Sequence, residues 1–407
     1  MTNRLRQIAS HITGSADDVV IIKAVRTPLC KGFKGPFKDT PVDLLVLAIL
    51  REFAQNSGID PAVVDDICVG NVSGGSNVAY SARGAALAAG FPSSTSLHTL
   101  NRWCSSGLVA TQSIANAIRS GEIEVGLALG AESMSAAPRA DPVLSEEILA
   151  NAQAKDCTMP MGWTSENVAS RYNISRLDQD AFAASSFQKA EAAQKAGRFE
   201  AEIIPVTVQV KDPKTGEAKM VTVTQDDGIR YGTTKESLAK LKPAFGKFAG
   251  PSGGASTGGN SSQITDGCAG VLMMKRSKAL ELNLPILARF VCATAIGCDP
   301  EVMGIGPALA IPKALKLAGL TVADVDLFEV NEAFASQALY SCRVLGLPMD
   351  KVNVNGGAIA LGHPLGCTGA RQIATGVSEL RRSGKKVLVT SMCVGTGMGV
   401  ASVIIAD

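Results

Sequence analysis

Ten cysteines and three histidines are the side chains of this chain suited to nucleophilic or acid–base chemistry near neutral pH. Cys104 lies in Leu100-Asn-Arg-Trp-Cys-Ser-Ser-Gly107, after a strand-like Ser96–Leu100 and just before a helix. A thiol there feels the positive end of the helix macrodipole, which favours the thiolate; an inert buried cysteine is the plain alternative. His363 lies in Asn355-Gly-Gly-Ala-Ile-Ala-Leu-Gly-His-Pro-Leu-Gly366, where small residues and a proline predict a compact turn presenting the imidazole. Cys393 lies in Ser391-Met-Cys-Val-Gly-Thr-Gly-Met-Gly399, read as the glycine loop after a strand. Small residues there let a ligand approach main-chain N–H groups, which can serve as an oxyanion hole. Asn331, at the end of a strand Leu327–Val330, adds a polar group at an equivalent place. A thiol paired with an imidazole is the pairing that a cysteine nucleophile needs.

These residues are positioned by an internal repeat. Gly107–Gly121 followed by Val125-Gly-Leu-Ala-Leu-Gly matches Gly369–Gly384 followed by Val387-Leu-Val-Thr-Ser. Each reads as a helix with an Arg-Ser-Gly stop and then a buried strand. Asp66–Asn71 matches Asp326–Asn331, and the run from Gly267 matches the run from Gly399. The chain therefore reads as two copies of one β-α-β set with parallel sheets and crossover helices. Because Gly107 matches Gly369, pseudo-twofold packing of the copies would bring Cys104 and His363 together. The segment from about Met134 to Asn260 has no partner in the second copy and reads as an insertion at the strand ends, a lid or binding element or else a structural excursion.

Composition narrows the class. At 407 residues, 46% hydrophobic and 19% charged, the chain supports large cores and two to three domains. Lys plus Arg is 39 and Asp plus Glu 37, so nothing asks for nucleic acid. The uncharged run Val387–Ala406 carries glycines at its middle, which suits two buried strands and not a membrane span. No CxxC occurs and three histidines supply no zinc spacing, so no metal is expected. With no apolar leader in the first twenty residues, reduced intracellular thiols are expected, most of them buried.

Four motifs together resemble the thiolase family: Asn101-Arg-Trp-Cys-Ser-Ser-Gly107, Asn331-Glu-Ala-Phe334, Gly357–Gly366 and Cys393-Val-Gly-Thr-Gly-Met-Gly399. The likeness runs from about residue 18 to the C-terminus. It implies an α/β fold of two pseudo-symmetric β-α-β core halves in five layers (αβαβα) with an inserted loop domain. On that reading the parts are an arm, 1–16; a first core half, 17–133 with 261–283; a loop domain, 134–260, that holds coenzyme A; and a second core half, 284–407. The resemblance implies acyl transfer by thiolysis of a 3-ketoacyl-CoA, the last step of fatty acid β-oxidation, by a dimer or dimer of dimers. Coenzyme A is a substrate, and no cofactor is implied.

The roles carried over are Cys104 as nucleophile, His363 as its base and an oxyanion donor, and Cys393 as general acid and base. Asn331 would hold an oxyanion water, and the Cys104 and Gly395 main-chain N–H groups would serve the second oxyanion. Substrate or coenzyme A contacts fall on Arg230, Ser237, Leu241, Ser262, Met161, Ala333 and Phe334. Two departures stand out: Gly258 replaces a frequent Ala, and Trp103 replaces Gln or Val. Met159-Pro-Met-Gly162 resembles the degradative, peroxisomal branch. A decarboxylating ketoacyl synthase would set a second His or an Asn with its His and carry no second active cysteine, and His98 fits no such pair. A catalytically dead acyl-CoA carrier is the other alternative, opposed by the intact Cys104, His363 and Cys393.

The arm has its own signal. Arg4-Leu5, five residues, then His11-Ile12 resembles an N-terminal peroxisomal targeting signal read by an import receptor. Arg4, Leu5, Ile8, His11 and Ile12 would share one helix face. A mitochondrial transit peptide and a plain arm are the alternatives.

Overall fold

The computed structural model describes residues 14–137, 143–212, 215–249 and 253–407. The targeting positions Arg4, Leu5, His11 and Ile12 lie outside them. The strands are β1 (Val19–Arg26), β2 (Cys30–Lys31), β3 (Asp66–Gly70), β4 (Ser96–Leu100), β5 (Val125–Ser133), β6 (Val206–Lys211), β7 (Ala218–Val223), β8 (Thr265–Lys275), β9 (Ala288–Gly297), β10 (Leu327–Val330), β11 (Val387–Val394) and β12 (Met398–Ala406). The helices are α1 (Val42–Asn56), α2 (Asn77–Ala89), α3 (Ser106–Ser120), α4 (Glu146–Leu149), α5 (Ala152–Asp156), α6 (Met161–Arg171), α7 (Arg176–Lys195), α8 (Lys235–Ala239), α9 (Arg276–Glu281), α10 (Gly306–Leu317), α11 (Ala335–Leu345), α12 (Ala358–Leu361) and α13 (Thr368–Ser383).

The two copies form one continuous sheet in the order β10-β11-β12-β9-β1-β8-β5-β3-β4, with β2 on β8. The sequence reading of parallel sheets is corrected here. β3 runs parallel to β4 and β5, and β10 to β11, but β8 is antiparallel to β5 and β1, and β12 to β11 and β9. Between β11 and β12 only Gly395–Gly397 intervene, and so short a link can only turn the chain back. The copies join where Val20 and Ile21 of β1 pair with Arg289 and Ala288 of β9, antiparallel.

Alternation along the strands builds the layers. Val20 and Ile22 face one core with Leu45, Ile49 and Phe53 of α1 and Ala82 and Ala86 of α2. Val19 and Ile21 face a second core with Ile114 and Ile118 of α3 and Ile373 and Val377 of α13, which also takes Leu327, Leu388 and Val400 of the second copy. Phe328, Val389 and Val403 face a third core with Ile311 and Leu315 of α10. The layers are thus helix, sheet, helix, sheet, helix, with α3 and α13 in the middle. An Ile114→Ala change there should cost about 2–5 kcal/mol, the usual range for a truncated core aliphatic.

A middle-layer helix is buried nearly all round, so its polar residues need partners. On α13 Arg371 pairs with Glu329 at 2.8 Å, Gln372 donates to the Glu329 carbonyl at 2.9 Å, and Thr375 donates to Glu202 at 2.9 Å. Both middle helices stop as their sequences require, at Gly121 (φ 82°) and Gly384 (φ 66°). Their starts cross at van der Waals contact: a Cβ on Gly107 would stand 2.9 Å from the Ala370 nitrogen, and one on Gly369 would stand 2.7 Å from the Leu108 Cβ. This reciprocal contact sets the entrances of α3 and α13 side by side.

Between β5 and β8 the chain leaves the sheet to form α4–α8 and the β6–β7 hairpin. Phe182, Phe187 and Ala190 of α7 pack on Ala335, Ala338, Ile359 and Leu361 of the second copy. The excursion is therefore seated over the end of the sheet where the two middle helices begin.

Candidate active site

Cys104 sits at a tight elbow between β4 and α3. Asn101 Oδ1 accepts from the Trp103 N–H at 2.8 Å, and Ser106 Oγ accepts from the Arg102 N–H at 2.9 Å while donating to the Trp103 carbonyl at 2.7 Å. These bonds hold Trp103 at φ 47°, in the left-handed region, and turn the Cys104 side chain inward, leaving it 8% exposed. The sulfur faces two main-chain donors, its own N–H and that of Gly395.

Burial opposes the macrodipole's pull on this thiol. Burial pushes Cys104 up to about 12, outweighing the two N–H donors, and the Glu132 charge adds to the rise. The resting sulfur is a thiol, because losing water costs the anion more than a helix end and two amides return. Cys393 is buried as well, and burial together with the neighbouring Cys104 and Cys298 sulfurs holds its thiol well above the ordinary range. It lies within β11, opposite Gly399 of β12, and not in the loop beyond the strand as its glycine-rich context suggests. The loop proper is Gly395–Gly397, with Thr396 at φ 66°.

His363 follows the single turn of α12 and is 4% exposed. Its main-chain N–H donates to Gln263 O (3.2 Å) and Thr265 Oγ1 (3.1 Å). On the ring, Nδ1 lies 2.6 Å from Thr368 Oγ1, and Nε2 lies 3.3 Å from Asn331 Nδ2. Thr368 gives its own hydrogen to the Pro364 carbonyl at 3.0 Å, so it accepts from Nδ1–H. The inferred tautomer leaves the Nε2 lone pair as a base. Burial, with the nearby Arg371 charge second, lowers His363 to about 3. A neutral imidazole and a neutral thiol are what a proton transfer coupled to attack requires.

Several groups that serve this site were given no role by the sequence. Glu132, fully buried in β5, accepts from the Val72 and Ser73 N–H groups of the first copy (both 3.1 Å) and from the Gly366 N–H of the second (2.9 Å). It ties the His363 loop to the first copy, and Gly366 in turn lies against Gly107, three residues past Cys104. Glu332, next to Asn331, accepts from Ser186 (2.6 Å), Asn353 (2.7 Å) and the Ile359 N–H (3.2 Å). The signal for both was an acid within an apolar strand or at its end, which folding must satisfy with hydrogen bonds. Thr368 gave no signal beyond its place one turn after the histidine.

The remaining candidates are placed as follows. Ala333 and Phe334 pack with Met303 against Cys393. The Ser262 N–H donates to the Ala333 carbonyl at 2.9 Å. Arg230 Nη2 donates to the Gly258 carbonyl at 3.2 Å with its guanidinium over the Phe187 ring, and Leu241 lies against Gly259. Ser237 uses its hydroxyl in the N-terminal cap of α8, donating to the Thr234 carbonyl at 2.7 Å. A Cβ at Gly258 would meet open space. Met161 opens α6 and is exposed. No group of side chains suited to a metal occurs among the described residues. The groups present, a buried thiol, a second thiol beside it and a neutral imidazole, are those that moving an acyl group onto a thiol requires.

Comparison with known proteins gives a consistent result. Family models described as Thiolase, N-terminal domain and Thiolase, C-terminal domain match residues 19–277 and 284–406. The chain is 53% identical over 391 residues to 3-ketoacyl-CoA thiolase B, peroxisomal, of Rattus norvegicus, covering 96% of this chain and 91% of that one. Among solved structures, the dimeric peroxisomal thiolase of Saccharomyces cerevisiae superposes with a TM-score of 0.89 at 46% identity, covering 98% and 100% of the two chains. Human mitochondrial 3-ketoacyl-CoA thiolase in complex with CoA superposes with a TM-score of 0.85 at 38% identity, covering 96% and 98%.

Proposed function

The chain belongs to the thiolase family, and from that premise we propose that it cleaves 3-ketoacyl-CoA with coenzyme A through an acyl group carried on Cys104. It is an acyltransferase of peroxisomal fatty acid β-oxidation and works as a homodimer. The observation that carries the assignment of roles is the pair of buried thiols, with the Gly395 N–H directed at one of them.

In the first half-reaction the Cys104 thiol gives its proton to His363 Nε2 as the sulfur attacks C3 of the substrate. The tetrahedral adduct collapses, the C2–C3 bond breaks, and the enolate of acetyl-CoA takes a proton from Cys393. In the second half-reaction a fresh coenzyme A thiol gives its proton to the Cys393 thiolate and attacks the Cys104 thioester. Collapse releases the shortened acyl-CoA, and His363 returns its proton to Cys104. Each oxyanion forms where donors are already fixed, which is the economical way to stabilise developing charge. Protonated His363 and a water on Asn331 serve one. Asn331 Oδ1 suits that water, being buried and free of protein donors. The Cys104 and Gly395 N–H groups serve the other.

The inserted segment is the proposed coenzyme A domain, with Arg230 and Leu241 toward the nucleotide end, and Ser237, Ser262 and Met161 along the pantetheine and acyl path. Residues 1–16 are the proposed address for a peroxisomal import receptor. Fusing them to a fluorescent protein tests this: peroxisomal puncta lost on changing Leu5 and His11 support it, and mitochondrial import contradicts it. Thiolysis itself is tested by following loss of 3-ketoacyl-CoA with added coenzyme A. Carbon dioxide release from malonyl thioesters instead would favour the decarboxylating class.

A further inference from the structure

Trp103 takes no part in the chemistry above, yet its setting is unusual. Six non-glycine residues among those described have positive φ, and two of them, Trp103 and Thr396, flank the two main-chain donors that face the Cys104 sulfur. Asn or Gly would occupy the φ 47° position of Trp103 at lower cost, so the backbone turn alone does not call for an indole. The side chain is 42% exposed, an uncommon state for the largest aromatic. Its inner face lies on Gly395: a Cβ there would stand 3.2 Å from indole Cγ and Cδ2. Thr396 Oγ1 donates to the Gly395 carbonyl at 2.5 Å. Gly395 is thus held by an indole plane against its Cα and by a hydroxyl on its carbonyl.

We propose that Trp103 is a positioning residue for acyl transfer, its indole being the wall that keeps the Gly395 N–H aimed at the oxyanion formed on Cys104-bound substrate. This deepens the function proposed above and rests on its assignment of Cys104 and Gly395. An N–H contributes to an oxyanion only within a narrow range of distance and angle. A glycine in a loop with glycine two residues on has little of its own to hold that aim, and a flat ring against its Cα supplies it. The indole acts on the rate of a step and not on substrate affinity.

The test compares variants of the full-length enzyme in pre-steady-state acylation by one 3-ketoacyl-CoA. Trp103→Asn suits the left-handed backbone and removes the ring. It should slow acylation of Cys104 about tenfold, less than the 10²–10³ that removal of an oxyanion donor costs, with KM little changed. Trp103→Phe should recover most of the rate. Gly395→Ala should lower kcat in the parent and by markedly less in the Trp103→Asn background, because the added methyl then has room. Equal acylation rates in Trp103→Asn and the unaltered enzyme, a rise in KM alone, or additive effects of the two substitutions would each overturn the proposal. Absence of an acyl group on Cys104 in the unaltered enzyme would instead bring down the assignment beneath it.

Discussion

Thr368 Oγ1 lies 2.6 Å from His363 Nδ1 and passes its own hydrogen to the Pro364 carbonyl, so the first residue of α13 decides which nitrogen of the imidazole is the base. With Nδ1 holding the proton, the Nε2 lone pair accepts from Asn331 Nδ2 at 3.3 Å, a long hydrogen bond that gives way when Nε2 takes the proton of Cys104. The orienting partner is a neutral hydroxyl and not a carboxylate. That choice fits a histidine whose burial already keeps it uncharged.

Replacing Thr368 with Val, similar in shape but without the acceptor, should therefore lower kcat by about 10- to 100-fold, part of what a general base contributes. Thr368→Ser should keep most of the rate. Steady-state kinetics of the two variants checks this, and an unchanged kcat for Thr368→Val would mean that the ring orientation is set elsewhere.

Asn331→Ala should lower kcat by about 10²-fold, the usual effect of losing one oxyanion-stabilising group, with substrate binding nearly unchanged. The amide also touches the imidazole, so Asn331→Asp is a useful companion: it keeps the shape and adds a charge that would favour a protonated ring. A large rise in KM at constant kcat would show that Asn331 only places the substrate.

The charge states make a pH prediction for Cys104. Because burial pushes its thiol up to about 12, alkylation of the resting enzyme by iodoacetamide at Cys104 should keep accelerating from about pH 6 to about pH 10. A plateau near neutrality, read by peptide mass, would mean that a thiolate stands ready before substrate arrives.

Stability should carry the mark of His363. Its folded value is near 3 and its unfolded value about 6.5, so between them only the unfolded chain binds the proton. The contribution of keeping it neutral is complete above about pH 6.5 and is lost as pH falls toward 3. The melting temperature of the parent should fall faster over that window than that of His363→Gln. Parallel curves would show that the ring is more exposed to water than the fold implies.

Much of this was legible before any coordinates. The repeat announced itself through Gly121 and Gly384 after matching helices, and pseudo-symmetry then pointed to the starts of those helices as the place where the copies meet. Gly107 and Gly369, where the middle helices touch, are the very residues by which the copies align. Three things were not legible, each for a physical reason. The direction of β12 depends on the length of the link after β11, which strand patterns do not state. The protonation of Cys104 depends on how completely water is excluded, and helix position says nothing of that. The bridging role of Glu132 depends on donors from Val72, Ser73 and Gly366, which are distant in sequence.

The central claim is that Cys104 carries the acyl group and Cys393 carries only a proton. Incubating the enzyme with a 3-ketoacyl-CoA in the absence of free coenzyme A, followed by peptide mass analysis, tests this most directly. The account predicts the mass of the shortened acyl group on the peptide containing Cys104 and on no other, with Cys104→Ala giving neither adduct nor turnover. An acyl group on Cys393, or turnover that survives Cys104→Ala, would contradict it.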